Sequence, residues 1–574
     1  MWIFYLYIYI DIKVCYIING DNMTEKIKVK INNKVELVDK FTTLGELAKK
    51  HEKEFKYKIL LGKVNNLLKE LNEKISEDSE IEFIDLTSNI GRKTYFSGLT
   101  YILIHAIRLL YGKKANIKML HALDNGVYIE TNFNLTKEKI SDIKAEIQHI
   151  VDQDLPIEKL NIDRLEAIKY FNMIEDYPKA RLLNYTPNTY INLYRLENEY
   201  NYFYTLMPTS TGKIDVFDLI YLSNKGFVLR YPTKYDPNIE NEYHHHHNLF
   251  EVFKEFHDWT KLMHIETTSD LNKIVTTGKI NDLIMIDETL QKNKLMTIAQ
   301  EINKNSDKLK IVLIAGPSSS GKTTTSRKLC MYLNSFGLTP RVISMDDYFV
   351  EREKTPLLSD GTKDYETLDA VDLKLFDKQI GDLLSGKKVK VPKFNFISGK
   401  KEYKEEMYLN ENDIIIIEGI HALNDKILTN IPRDRKYMIS LSTFTEINID
   451  NHNRISTTDN RLLRRILRDS RTRNRPVEDS LSSWHKVRDG EEKYIFPYQD
   501  NADIIVNSAL IYEFGVLKTY VEPLLYSVPP SSPTYEDAKR LINILRLFLP
   551  MPADAVPEDS VLREFIGKSY FNAE

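Results

Sequence analysis

The stretch Ile311 to Thr323 reads IVLIAGPSSSGKT, five apolar residues running straight into Gly316-Pro317-Ser318-Ser319-Ser320-Gly321-Lys322-Thr323. It fits GxxxxGK[ST] with a strand before it and the helical pattern KTTTSRKLCMYLNSF after it, the two contexts a phosphate loop requires. Gly316 and Gly321 permit a backbone whose successive N–H groups, with the helix N-terminus, face phosphate oxygens. In such a loop Lys322 reaches the β and γ oxygens, Thr323 ligates Mg2+, and the ATP contacts run from Gly316 to Thr324.

Outward from this loop, strands and helices alternate: RVISM, then LKLFDKQIGDLLSG, then DIIIIEG, with Gly337 and Gly386 where helix C-caps are expected. That alternation predicts an α/β fold, a mostly parallel sheet covered on both faces. The next strand ends in SMDDYF and places Asp346 beside the loop, able to take a proton from an attacking hydroxyl. The run Ile414 to Ile417 ends in Glu418, an acid suited to hold Mg2+ or its water. In DNRLLRRILRDSRTRNR, Arg461, Arg465 and Arg468 share a helical face, and Arg471, Arg473 and Arg475 continue the run. Seven arginines in fifteen residues with no lysine favour planar, bidentate phosphate binding and predict a lid that excludes water.

At 574 residues the chain exceeds one hydrophobic core, and a net charge of -4 provides no global basic field for nucleic acid. Its two cysteines, Cys15 and Cys330, exclude a disulfide framework and fit a reducing cytoplasm; Cys330 lies among Leu329, Met331 and Leu333 and reads as core. Asp11 and Lys13 interrupt the apolar opening, so residues 1–22 read as an N-terminal extension of uncertain status and no membrane partner is expected. The run His244 to His247 sits in a polar linker and cannot converge on one metal ion. KIKVKI, TLGELAKKH and EIEFIDL outline a small α+β module over 24–88, and a second α+β region follows over 91–231. Residues 232–305 read as linker and connecting helices, 306–527 as the P-loop domain, and 528–574 as a C-terminal helical extension.

Gly316 to Thr324, MDDYF, DYETLDAVD, VPKFNF, IIIIEGIHAL and RRILRDSRTRNR together resemble the uridine kinase and phosphoribulokinase group over Ile311 to Leu510. The resemblance implies an ATP- and Mg2+-dependent nucleoside kinase with a nucleoside as substrate. By it, Lys322 and Arg465 join Asp346, which would be the general base on a nucleoside 5′-hydroxyl, while Glu366 sits where the family places an acid against the ribose diol. Tyr365, Phe394 and Phe396 match aromatic positions around the base, and Arg465, Arg468, Arg473 and Arg475 match lid arginines. Three positions depart: Glu366 replaces an aspartate, Phe394 a tyrosine, and Gly399 stands where a histidine is expected after VPKFNF. These changes remove groups that would read a pyrimidine edge and leave the base open, purines included.

Residues from about Thr24 to Leu86 resemble a TGS domain, and Gly91 to about Tyr231 resembles the second additional domain of threonyl-tRNA synthetase. The whole chain is similar to long bacterial nucleoside kinases that join these parts, and the TGS-like region implies an RNA contact. Ser97 and Tyr101 stand where the synthetase domain carries its HxxxH pair, which argues against zinc-dependent deacylation and for a binding or regulatory role. Two other readings stay open: a sugar or sugar-phosphate kinase of the same group, and a nucleotide-dependent RNA-associated switch that hydrolyses without an acceptor. No NKxD motif follows the loop to support GTP.

Overall fold

The computed structural model describes residues 25–123, 125–244, 247–395, 398–445 and 447–571. Residues 1–22, Cys15, His245, His246 and Phe396 therefore lie outside the described residues. The chain divides into two compact units. One comprises the described residues up to Leu99 with Ile150–Glu158 and Thr205–Asp215; the other takes Thr100–His149, Lys159–Tyr204 and everything from Val216 onward.

In the first unit, β1 (Lys26–Ile31), β2 (Lys34–Asp39), β3 (Leu61–Val64), β4 (Leu67–Glu70) and β5 (Ser79–Ile84) form a sheet in the order β2-β1-β5-β3-β4. Alternation in KIKVKI sends Ile27, Val29 and Ile31 inward, where they meet Leu44 and Leu47 of helix α1 (Leu44–His51). A reciprocal capping box between Thr43 and Glu46 starts that helix, each satisfying a donor of the other.

In the second unit, β6 (Ile117–Leu123), β7 (Gly126–Thr131), β8 (Asp218–Ser223) and β9 (Gly226–Arg230) make an antiparallel sheet in the order β8-β9-β7-β6. The phosphate-loop sheet consists of β10 (Ile311–Ala315), β11 (Thr339–Ser344), β12 (Asp413–Gly419), β13 (Lys436–Ser442) and β14 (Ile504–Asn507). All its pairings are parallel, in the order β11-β12-β10-β13-β14, so β10 is central and every one of its residues is buried. Ile311, Leu313 and Ala315 face one core, shared with Phe376, Ile380 and Leu383 of α2 (Leu373–Leu384). Val312 and Ile314 face another core on the opposite side of the sheet. That core is shared with Ile298, Ala299 and Ile302 of α3 (Ile280–Lys304) and with Leu329 and Leu333 of α4 (Lys322–Ser335). Burial on both faces is why IVLIA and IIII carry no polar alternation. Gly337 and Gly386, at φ +86° and +78° just past α4 and α2, take the left-handed conformation that ends a helix without a Cβ penalty.

The sheet's loops meet a helical layer: α5 (Thr457–Thr472), α6 (Trp484–Tyr494), α7 (Glu513–Leu525), α8 (Tyr535–Leu545) and the short α9 (Arg563–Ile566). Leu463, Ile466, Phe514, Leu541, Leu545 and Phe565 interlock in one core, so the segment after 528 is part of the same packing as the arginine helix. Among the described residues no helix is long and apolar enough to cross a membrane.

Candidate functional site

The phosphate loop leaves the C-terminal end of the central strand, the end of a doubly wound parallel sheet at which ligands bind. Gly316 is needed by close approach: a Cβ there would lie 2.5 Å from the Leu441 carbonyl oxygen. Gly321, at φ +84°, caps α4 and packs against Val561 so closely that no Cβ fits. Ser508 Oγ donates to the Ser320 carbonyl at 2.6 Å and fixes the loop from beyond β14. The hydroxyls of Ser319 and Ser320 are buried without a protein partner, and Lys322 Nζ lies back on the carbonyls of Gly316 and Pro317 at 2.8 and 3.2 Å. Orphaned hydroxyls, a glycine cradle and a folded lysine are the donor set a polyphosphate takes, so these residues fit ATP. Thr323, the second residue of α4, and Glu418, the penultimate residue of β12, supply the oxygens suited to Mg2+.

Three carboxyls converge on Lys322. Burial, with the charge of Asp346 behind it, pushes Glu418 up to about 7 against the pull of Lys322. Burial likewise raises Asp346, which feels Lys322, Arg473 and Arg468 on the opposing side. The neighbouring Asp347 is engaged elsewhere, its carboxylate accepting from the Phe394 N–H at 3.2 Å and pairing with Lys393 at 3.3 Å. The pair in SMDDYF thus divides its work: Asp347 ties the turn to the strand Val389–Asn395, and Asp346 faces the site.

Burial and then Glu491 push Glu366 up to about 7, with Arg465 opposing. Glu366 lies against Gly490, where a Cβ would come 2.7 Å from its Cγ, so residue 490 must lack a side chain. Since its ordinary value is 4.5, the folded, ligand-free chain keeps a proton on Glu366 that the unfolded chain releases. Stability is then lost as pH rises from about 5 to 7, and Glu366→Gln is expected to make this part of a melting-temperature profile shallower, with Glu418 contributing the slope that remains. Thermal melts of both proteins across that range measure it; parallel profiles would contradict the burial.

Phe349 meets Tyr365 edge-on at 6.5 Å and Phe394 at 5.8 Å, leaving Tyr365 43% exposed as the open side of this aromatic group. Arg461 and Arg465 of α5 both reach Ser318, Arg461 donating to its carbonyl and Arg465 to its hydroxyl, each at 3.3 Å. Buried Glu491 pairs with Arg461 from the far side. Arg465, Arg468, Arg473 and Arg475 gather around one fully buried carboxylate, Asp469, at 3.4, 2.8, 3.6 and 4.0 Å. Arg475 also turns aside to the Asp479 carbonyl and Ser483.

Of the residues singled out from sequence, the structure therefore brings Lys322, Asp346, Glu366, Glu418, Arg465, Arg468 and Arg473 into one electrostatic group. Tyr365 and Phe394 border it through Phe349. Sequence reasoning missed Asp469, Gly490, Glu491 and Ser508, along with Glu564, whose carboxylate accepts from the Thr324 hydroxyl at 2.7 Å. Asp469 lies inside the arginine run and could have been read as its counter-ion; the others carry no local signal.

The profile of the Phosphoribulokinase / Uridine kinase family matches residues 311–511. A uridine kinase from Staphylococcus epidermidis is 30% identical over 197 residues, covering 34% of this chain and 86% of that protein. One from Ureaplasma parvum is 28% identical over 203 residues, again 34% and 86%. A threonine–tRNA ligase from Clostridium tetani is 30% identical over 165 residues, 27% of this chain but only 26% of the ligase. With nearly the whole length of a uridine kinase laid onto the phosphate-loop sheet and its arginine helix, the chain belongs to the phosphoribulokinase/uridine kinase family and is a kinase.

Proposed function

We propose that the chain phosphorylates the 5′-hydroxyl of a nucleoside with MgATP, giving a nucleoside 5′-monophosphate. The observation that carries this is the placement of two acids, Asp346 and Glu366, each within the field of Lys322 and next to an aromatic group with one open side. ATP bound with Mg2+ supplies the γ-phosphoryl group and neutralises charge on its oxygens. Asp346 takes the proton from the acceptor hydroxyl, for which its raised affinity suits it. Glu366, seated on Gly490, is positioned to hold a vicinal diol, and Tyr365 presents a ring face to a base. Arg465, Arg468 and Arg473 move from Asp469 to the charge that develops on the transferring group and shut water out.

The N-terminal regions are assigned a binding role, with RNA as the partner class their likeness to part of a threonine–tRNA ligase supports. Ser97 Oγ pairs with Thr205 at 2.6 Å, and the Tyr101 hydroxyl donates to the carbonyls of Tyr194 and Glu199, each at 2.8 Å, so both are spent on internal contacts.

The test is ADP release from MgATP with purine and pyrimidine nucleosides and ribulose 5-phosphate as acceptors. Release that depends on one nucleoside is expected and names the base. Release with ribulose 5-phosphate alone would replace the nucleoside by a sugar phosphate, and release independent of every acceptor would make the chain a hydrolytic switch.

A further inference from the structure

The first turn of α4 is already occupied by an anion from the same chain. Glu564 Oε2 accepts from the Thr324 backbone N–H at 3.3 Å and from the Thr324 hydroxyl at 2.7 Å. Backbone donors at the N-terminus of the helix after a GxxxxGK[ST] loop are the ones that cradle nucleotide phosphates, and a carboxylate is held there by the same donors and the same helix dipole. Two anions cannot share them without repulsion.

The backbone that carries Glu564 is fixed. Leu562 and Phe565 are fully buried in the helical core, and the Arg563 guanidinium donates to the carbonyls of Ala553 and Val556 at 2.8 and 2.6 Å. Arg471 holds the Phe565 carbonyl, and Val561 rests on Gly321. The side chain of Glu564, by contrast, is partly exposed and is held by Thr324.

We propose that Glu564 is an internal competitor for nucleotide: it occupies the phosphate donors of Thr324 in the resting enzyme, and nucleotide enters by displacing it. This rests on the ATP-binding reading of the loop. It makes the C-terminal segment, which lies beyond the 311–511 family match, a determinant of nucleotide affinity in this chain.

The experiment is equilibrium titration of the full chain with ADP, without acceptor, followed by calorimetry. Glu564→Gln keeps shape and removes charge; Glu564→Ala removes both. Each is expected to bind ADP on the order of tenfold tighter than wild type, and to melt lower than wild type when no nucleotide is present because the negative charge at the helix N-terminus is lost. Glu558→Gln, an exposed acid on the same segment, is expected to leave affinity unchanged, which separates local competition from general charge. Unchanged or weaker ADP binding in both Glu564 variants, with wild type binding normally, would overturn the competition alone. Absence of ADP binding in wild type, with Lys322→Ala no different, would instead overturn the nucleotide reading and the proposal with it.

Discussion

Asp346→Asn is expected to lower kcat by about 10²–10⁴-fold while the KM for ATP stays close to wild type. The asparagine keeps the side chain's shape at the turn after β11 but cannot accept the acceptor's proton. Asp347, the only neighbouring carboxylate in the turn, is held by the Phe394 N–H and Lys393 and does not substitute. Burial also raises Asp346's affinity for a proton, so wild-type kcat should climb with pH until that group is ionised, and the variant should lose this limb. Initial-rate measurements over pH with saturating MgATP check both statements. A variant that kept its rate and raised only the KM for the acceptor would show Asp346 to be a binding group.

The second large effect is on stability. Arg464 and Glu513 are both fully buried, with Arg464 Nε donating to Glu513 at 2.9 Å, Nη2 to the Ser508 carbonyl at 2.9 Å, and Asn460 donating to the same carboxylate. Glu513→Leu leaves a guanidinium in an apolar core without its counter-charge, a change that costs about 3–5 kcal/mol. The loss should show as a lower denaturant midpoint for the unit containing the parallel sheet, read by fluorescence of Trp484, which stacks near Arg461 at 5.3 Å. The damage reaches the phosphate loop, because the Ser508 that Arg464 holds is also the residue fixing Ser320. A midpoint within error of wild type would mean that water or a repacked core compensates Arg464.

The parallel sheet was legible because a strand buried on both faces has no room for polar alternation, and IVLIA and IIII show none. Gly316 and Gly321 were legible because loop geometry forbids any other residue. The arginine run was legible as a cluster of cations, but not which carboxylates it would meet. Helical spacing puts Arg464, three residues after Arg461 and four before Arg468, at the edge of the same face, and neither spacing nor charge says that its guanidinium is fully buried against Glu513. Apolar residues of α3 revealed a helix without revealing what it covers, since periodicity encodes a face and not its partner. Glu564 had no signal at all: its contact is made across 240 residues, and a lone acid in PEDSVLREFIG looks like any solvated glutamate.

The position of β10 at the centre of its sheet has a consequence for synthesis. Its two neighbours, β12 and β13, lie about a hundred residues later in the chain, Ser508 closes on Ser320 across 188, and Val561 reaches Gly321 later still. In a chain emerging from the ribosome α3 and α4 can cover Val312 and Ile314 early, but both edges of IVLIA stay unpaired until β12 and β13 arrive, and loop closure of this span is slow relative to local helix formation. The phosphate loop is consequently among the last parts of the molecule to reach its final packing, since Val561 settles on Gly321 only once the C-terminal segment has been made.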